Sequence, residues 1–232
     1  MSEHSILRWL WEWTKSIVVA LLVWFVLRTF LVEAFRIPSG SMKNTLLVGD
    51  FLFVNKALYG AEVPFVRRTL PAWREPRRGE ILVFDSVEDP ALKIVKRLVG
   101  VPGDTLEMRN GILLRNHAPV PEGYALHTAP DIDPVEDRFR WQRDYVATPT
   151  AATIGYYPSR NNWGPLVVPE KNYFVLGDNR DNSSDSRYWG FVADSLVKGR
   201  PFVIYYSYAP DSAQGLAWLT RIRWNRLGER VR

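Results

Sequence analysis

The stretch LKIVKRLVGVPGD, Leu92 to Asp104, sets the class of fold. Its first ten residues are rich in β-branched side chains, and alternation puts Ile94, Lys96 and Leu98 on one face of a strand. Val101-Pro102-Gly103-Asp104 then reads as a type II turn, with glycine where a positive φ is required. Four more short runs follow the same pattern: FLFVNKAL (51–58), EILVF (80–84), NYFVLG (172–177) and PFVIYYSY (201–208). Asn110-Gly111 between TLEMR and ILLRN reads as a tight type I′ hairpin. The class expected is therefore mainly β, an antiparallel-sheet body.

Towards the N-terminus the pattern changes. IVVALLVWFVL, Ile17 to Leu27, is unbroken by any polar residue. Lys15 and Arg28 at its ends can snorkel, and Trp9, Trp11 and Trp13 can anchor one interface. The usable length, Trp9 to Val32, is enough to span a bilayer, and Val32-Glu33-Ala34 is a poor cleavage site. One retained transmembrane helix is expected, stopped by Pro38. Residues 116–169, with HAPVPEG, APDIDPVED and ATPTAATIG, are dense in proline and polar residues and read as a loop-rich insert.

The expected organisation is an N-terminal segment (1–15), a transmembrane helix (16–33) and a catalytic β domain (37–105 and 171–208). An inserted β/loop subdomain (106–170) and a basic tail (209–232) complete it. The net charge of +5 is modest and local: Arg67, Arg68, Arg74, Arg77 and Arg78 form one cluster. Arg221, Arg223, Arg226, Arg230 and Arg232 form another, and Trp218 and Trp224 within it favour lipid over nucleic acid. There is no cysteine, which removes disulfides, zinc–thiolate sites and a thiol nucleophile together.

Candidate chemistry begins at IPSGSMKNTL, Ile37 to Leu46. Ser39 and Ser41 flank Gly40 in a turn, which can expose a hydroxyl and a backbone N–H together. A serine needs a base. Only His4, His117 and His127 are present, none in a comparable setting, and there is no Gly-x-Ser-x-Gly elbow. A neutral lysine can replace histidine, at roughly 3 kcal/mol for a pKa lowered by about two units. Lys96 has apolar neighbours along its own face, whereas Lys56 and Lys93 do not. GDNRDNSSDSRYWGFV, Gly177 to Val192, fails the calcium-loop pattern, with Ser183 sixth and Trp189 twelfth. It reads instead as a hydrogen-bonded loop, with Asp185 and Arg187 a candidate ion pair.

Taken together, IPSGSM, GDFLFVNKALYG, RGEILVF, KRLVGVPGD and GDNRDNSSDSRYWGFV resemble bacterial type I signal peptidases in order and spacing. The resemblance implies a membrane-bound Ser-Lys endopeptidase that removes signal peptides from exported preproteins after Ala-x-Ala. It implies Ser41 as nucleophile and Lys96 as general base, with Ser39 and the Ser41 N–H as the oxyanion hole. By the same resemblance Ser183 orients the lysine, Asp185 and Arg187 support the site, and Ile37, Pro38, Met42 and Val95 line a small specificity pocket. It implies no metal or cofactor, preprotein and lipid as partners without nucleic acid, and a monomer. The expected location is the bacterial cytoplasmic membrane, single-pass, with the catalytic domain on the periplasmic face. One departure is Lys43-Asn44, where the family usually has proline at the second position. The competing readings are a catalytically silent, membrane-anchored β-protein that binds exported chains, and a soluble self-cleaving regulator.

Overall fold

The computed structural model describes residues 3–63, 68–147, 155–210 and 216–232. Arg67 and residues 148–154 of the ATPTAATIG stretch lie outside the described residues. Helix α1, Glu3–Val26, continues as a π turn, Leu27–Leu31. Its 24 residues reach about 36 Å at ~1.5 Å per residue, more than the ~30 Å hydrocarbon thickness of a bilayer. Arg8–Leu31 has a mean hydropathy of 1.8 and none of it is buried against the body. The helix is long, apolar and unburied enough to anchor the protein in a membrane.

The helix does not run on to Pro38. Val32 is already extended, and strand β1, Val32–Arg36, pairs with strand β2, Asp50–Asn55, from Val32↔Asn55 to Arg36↔Phe51. Ladder hydrogen bonds replace helical ones before the proline can act, and Lys56 N–H donates to the Leu31 carbonyl at the junction.

The remaining strands follow in order: β3 (Glu62–Val63), β4 (Arg68–Thr69), β5 (Ile81–Asp85), β6 (Lys93–Gly100), β7 (Thr105–Arg109) and β8 (Ile112–Arg115). Then come β9 (Ala118–Pro119), β10 (Trp163–Val167), β11 (Asn172–Leu176), helix α2 (Ser186–Trp189), β12 (Val192–Ala193) and β13 (Val197–Ser207). Seven strands form one antiparallel sheet in the order β1-β2-β13-β5-β6-β11-β12. A second sheet has the order β10-β7-β8-β9, and β3 pairs with β4 alone. The β6–β7 turn has Gly103 at φ +82, and the β7–β8 hairpin has Asn110 and Gly111 both at positive φ.

Burial differs by position in the sheet. Strand β2 alternates, with Leu52 and Val54 inward. Strand β6 is covered on both faces from Val95 onward, not on one apolar face as alternation suggests. The reason is that three core clusters meet along it. Val95 joins Ile37, Met42, Leu52 and Val83; Leu98 joins Leu82, Phe84 and Val175; Val99 joins Leu106, Trp163 and Phe174 under the second sheet. Lys96 and Arg97 are thereby drawn into the interior, at 4% and 3% exposure.

The C-terminal segment lies along β13, with Ile204 N–H donating to the Glu229 carbonyl and Val231 N–H to that of Phe202. Val231 reaches the same cluster as Val95. Arg226 grips the buried Asp50 carboxylate at 2.7 Å, and Arg223 donates to the Val48 carbonyl. Two of the basic-tail arginines therefore point into the protein, while Trp218 and Trp224 are exposed.

Candidate active site

The site forms where the turn after β1 meets the middle of β6. Ile37 N–H donates to the Asp50 carbonyl and Gly49 N–H to the Ile37 carbonyl, which carries the β1–β2 pairing past Pro38. Gly40–Met42 then makes one 3-10 turn, closed by Lys43 N–H on the Gly40 carbonyl. Met42 is an apolar plug at 1% exposure, and it fixes the turn against the core. Asn44 follows at φ +96, a value proline cannot adopt, and its side chain donates to the Tyr124 carbonyl.

This turn presents Ser41 to Lys96. The Ser41 Oγ and Lys96 Nζ are 2.6 Å apart across 55 positions of sequence. Burial pushes the Lys96 pKa down from 10.5 to about 8, Arg187 adding to the effect and the carboxylates of Asp185 and Asp178 opposing it. An amine with that pKa is substantially neutral near pH 8 and can accept a proton, as a base at 10.5 could not.

The loop after β11 supplies the surroundings. Asp185 and Arg187 are both fully buried and doubly bonded, Nε to Oδ1 and Nη2 to Oδ2 at 2.8 Å each. Burial pushes the Asp185 carboxyl up, but the Arg187 charge and hydrogen bonds outweigh it and hold the pKa below the usual range. Asp185 also accepts from Gly177 N–H and caps α2. On the other face of β6, Arg97 holds Asp178 through two bonds of 2.7 Å and stacks on Tyr124 at 3.9 Å. Arg180 is bidentate to Glu122. Each of these three buried guanidinium groups thus has a carboxylate partner, as burial of charge requires.

Of the other residues singled out in the sequence, Ile37, Met42 and Val95 share one buried cluster, whereas Pro38 is exposed and outside it. Ser39 is exposed beside the turn, with extended backbone. Ser183 Oγ is buried and, among the described residues, has no hydrogen-bond partner; a bond to Lys96 is not formed. His117 faces Glu107 and His127 faces Asp181, and among the described residues neither bonds Ser41, whose side-chain partner is Lys96.

Comparison with known proteins places the chain in a family. A family profile described as "Signal peptidase, peptidase S26" matches residues 10–206. This chain belongs to that family. It is 35% identical to Signal peptidase I of Pseudomonas aeruginosa over 225 residues, covering 91% of this chain and 78% of that one. It is 34% identical to Signal peptidase I of Pseudomonas fluorescens, covering 91% and 78%, and 31% identical to that of Aquifex aeolicus, covering 92% of each. A crystal structure of a signal peptidase I from Enterococcus faecalis is 32% identical and covers 55% of this chain and 97% of its own, at a TM-score of 0.37.

Several residues around the Ser41–Lys96 pair carry no signal that single-sequence reading could use. Asp50, buried with Ser207 and Arg226, and Glu122, paired with Arg180 across 58 positions, look like ordinary surface carboxylates in the sequence. Asn179 was visible only as one polar residue among many in its loop.

Proposed function

We infer that this chain removes signal peptides from preproteins as a membrane-anchored serine endopeptidase of family S26, with Ser41 as nucleophile and neutral Lys96 as general base. The observation that carries the assignment is the 2.6 Å approach of a buried amine to a turn hydroxyl. Lys96 takes the Ser41 proton as Oγ attacks the scissile carbonyl, then returns it to the leaving amine. An ester acyl-enzyme remains, and water deprotonated by Lys96 releases it. The Ser41 N–H, with the Ser39 hydroxyl, stabilises the oxyanion. Ser183 Oγ, buried and unpartnered, takes up the ammonium as Lys96 turns after protonation. Asp185 and Arg187 keep this loop in place.

Substrate binds as an added strand. On its β11 side, β6 is paired only from Arg97 to Gly100, so residues 93–96 offer backbone groups to an extended peptide. Ile37, Met42 and Val95, which share one buried cluster, give the apolar wall that selects alanine-sized side chains one and three residues before the cut, with exposed Pro38 next to it in sequence. The body sits on the periplasmic face of a single-pass anchor, as a monomer built from a catalytic domain (37–105, 171–208) with an insert (106–170). Anchoring enzyme and substrate in one membrane raises their effective concentration.

The experiment is processing of a preprotein with an Ala-x-Ala site by full-length protein in detergent. Wild type cleaves it, and folded Ser41→Ala does not; turnover by Ser41→Ala rejects the nucleophile. A wild-type protein that binds but never cuts supports a silent binding protein instead.

A further inference from the structure

Asn179 is buried at 3% exposure and takes hold of both peptide planes that flank Ser41. Its backbone N–H donates to the Ser41 carbonyl at 3.0 Å, and its Nδ2 donates to the Gly40 carbonyl at 3.2 Å. The Gly40 carbonyl also accepts from Lys43 N–H at 3.0 Å. That carbonyl and the Ser41 N–H are the two ends of one rigid peptide unit, so aiming one aims the other. Donors on the carbonyl also polarise the unit and make its N–H a stronger donor.

Gly40 has no side chain to anchor the turn, a Cβ built there would meet nothing within 4 Å, and glycine itself leaves φ free. The orientation of the Ser41 N–H rests on the hydrogen bonds to the Gly40 carbonyl. Asn179 is itself held firmly. Leu126 N–H donates to the Asp178 carbonyl at 2.7 Å and Arg180 N–H to the Leu126 carbonyl at 2.9 Å, one bond on each side of Asn179. The Thr128 hydroxyl lies 3.5 Å from Asn179 Oδ1, which leaves Nδ2 as the end turned to Gly40.

We propose that Asn179 is a positioning residue for the oxyanion hole, setting the direction and donor strength of the Ser41 N–H through the Gly40 carbonyl. This rests on Ser41 being the nucleophile. The test compares wild type, Asn179→Ala and Asn179→Asp as full-length proteins in detergent, with Ser41→Ala as control. Folding is followed by thermal unfolding. For Asn179→Ala, kcat falls about 10- to 100-fold while KM stays within about twofold. The pH midpoint of activity stays in place, because Asn179 does not bond Lys96.

An Ala-x-Ala peptide aldehyde, whose adduct on Ser41 places an oxygen in the hole, binds more weakly in proportion to kcat. The matching peptide alcohol binds unchanged. Asn179→Asp keeps the shape but sets a carboxylate oxygen against the Gly40 carbonyl, and it loses at least as much. Asn179→Ala with kcat within twofold of wild type overturns the proposal. Equal weakening of aldehyde and alcohol overturns it too, since that marks general distortion. If Asn179→Ala does not fold, the same aldehyde-to-alcohol ratio in Asn179→Asp decides, and a wild-type ratio there overturns the proposal. Processing by Ser41→Ala would instead reject the nucleophile, independently of Asn179.

Discussion

Replacing Lys96 by methionine keeps length and volume and deletes the buried amine, so it separates what Lys96 does for catalysis from what it costs in stability. Lys96 titrates at about 8 in the folded chain and at an ordinary 10.5 when unfolded. Between those values the unfolded state holds a proton that the folded state lacks, so wild-type stability rises with pH across this window. Integrating that difference, burial of Lys96 destabilises the wild type by about 3 kcal/mol at pH 7 and by about 1 kcal/mol at pH 10. The lost Lys96–Ser41 hydrogen bond works the other way, by about 1 kcal/mol, without the same pH dependence. Lys96→Met is therefore more stable than wild type at pH 7 by about 2 kcal/mol, and the advantage shrinks to nothing by pH 10. The assay is denaturant unfolding in detergent at pH 6, 7, 8, 9 and 10. Peptidase activity falls by at least about 10²-fold in the same variant. In wild type, kcat/KM rises through a midpoint near 8. A stability difference that stays level from pH 6 to 10 would show that Lys96 is not depressed by burial, and the neutral-base mechanism would fail with it.

Three further outcomes follow from the geometry. Gly177→Ala places a Cβ against the Ser183 hydroxyl and 2.6 Å from both Ser183 Cβ and the Ser41 carbonyl. The catalytic turn must shift, and kcat drops by more than about 10-fold with little change in the pH midpoint; an unaffected kcat refutes the close packing. Arg187→Met strands the Asp185 carboxylate at 0% exposure and destabilises by about 3–5 kcal/mol, read as a lower thermal midpoint. It also removes a cation that opposes protonation of Lys96, so the activity midpoint moves up in pH; a downward move contradicts the sign. Asn44→Pro forces φ from +96 to about −65 and removes the bond to Tyr124, costing about 3 kcal/mol or more. A thermal midpoint equal to wild type means that the turn adopts another conformation.

The mainly β class was legible from short apolar runs, and both main turns were legible because glycine and asparagine occupy the positive-φ positions. The apolar helix was legible from its own length, because such a helix makes its backbone hydrogen bonds locally. Its end was not. Val32–Arg36 becomes a strand because β2 lies alongside, and no local feature announces a partner about twenty residues away.

Ser41 and Lys96 could be nominated from the sequence as candidates, Ser41 by its turn and Lys96 by its neighbours, but a nomination contains no distance. Only packing decides that β6 is covered on both faces, and hence that Lys96 is desolvated enough to lose its charge. The partners of Asn179, Asp50 and Glu122 could not be read for the same reason. A polar side chain in a string of letters has no environment, and its role comes from partners that the fold alone brings within reach. Sequence by itself determined which segments could be strand, turn or anchor, because those preferences act over a few neighbouring residues. Tertiary structure decided which charges are buried, which are paired and which amine is neutral, because desolvation and Coulomb energy depend on distances that chain order does not contain.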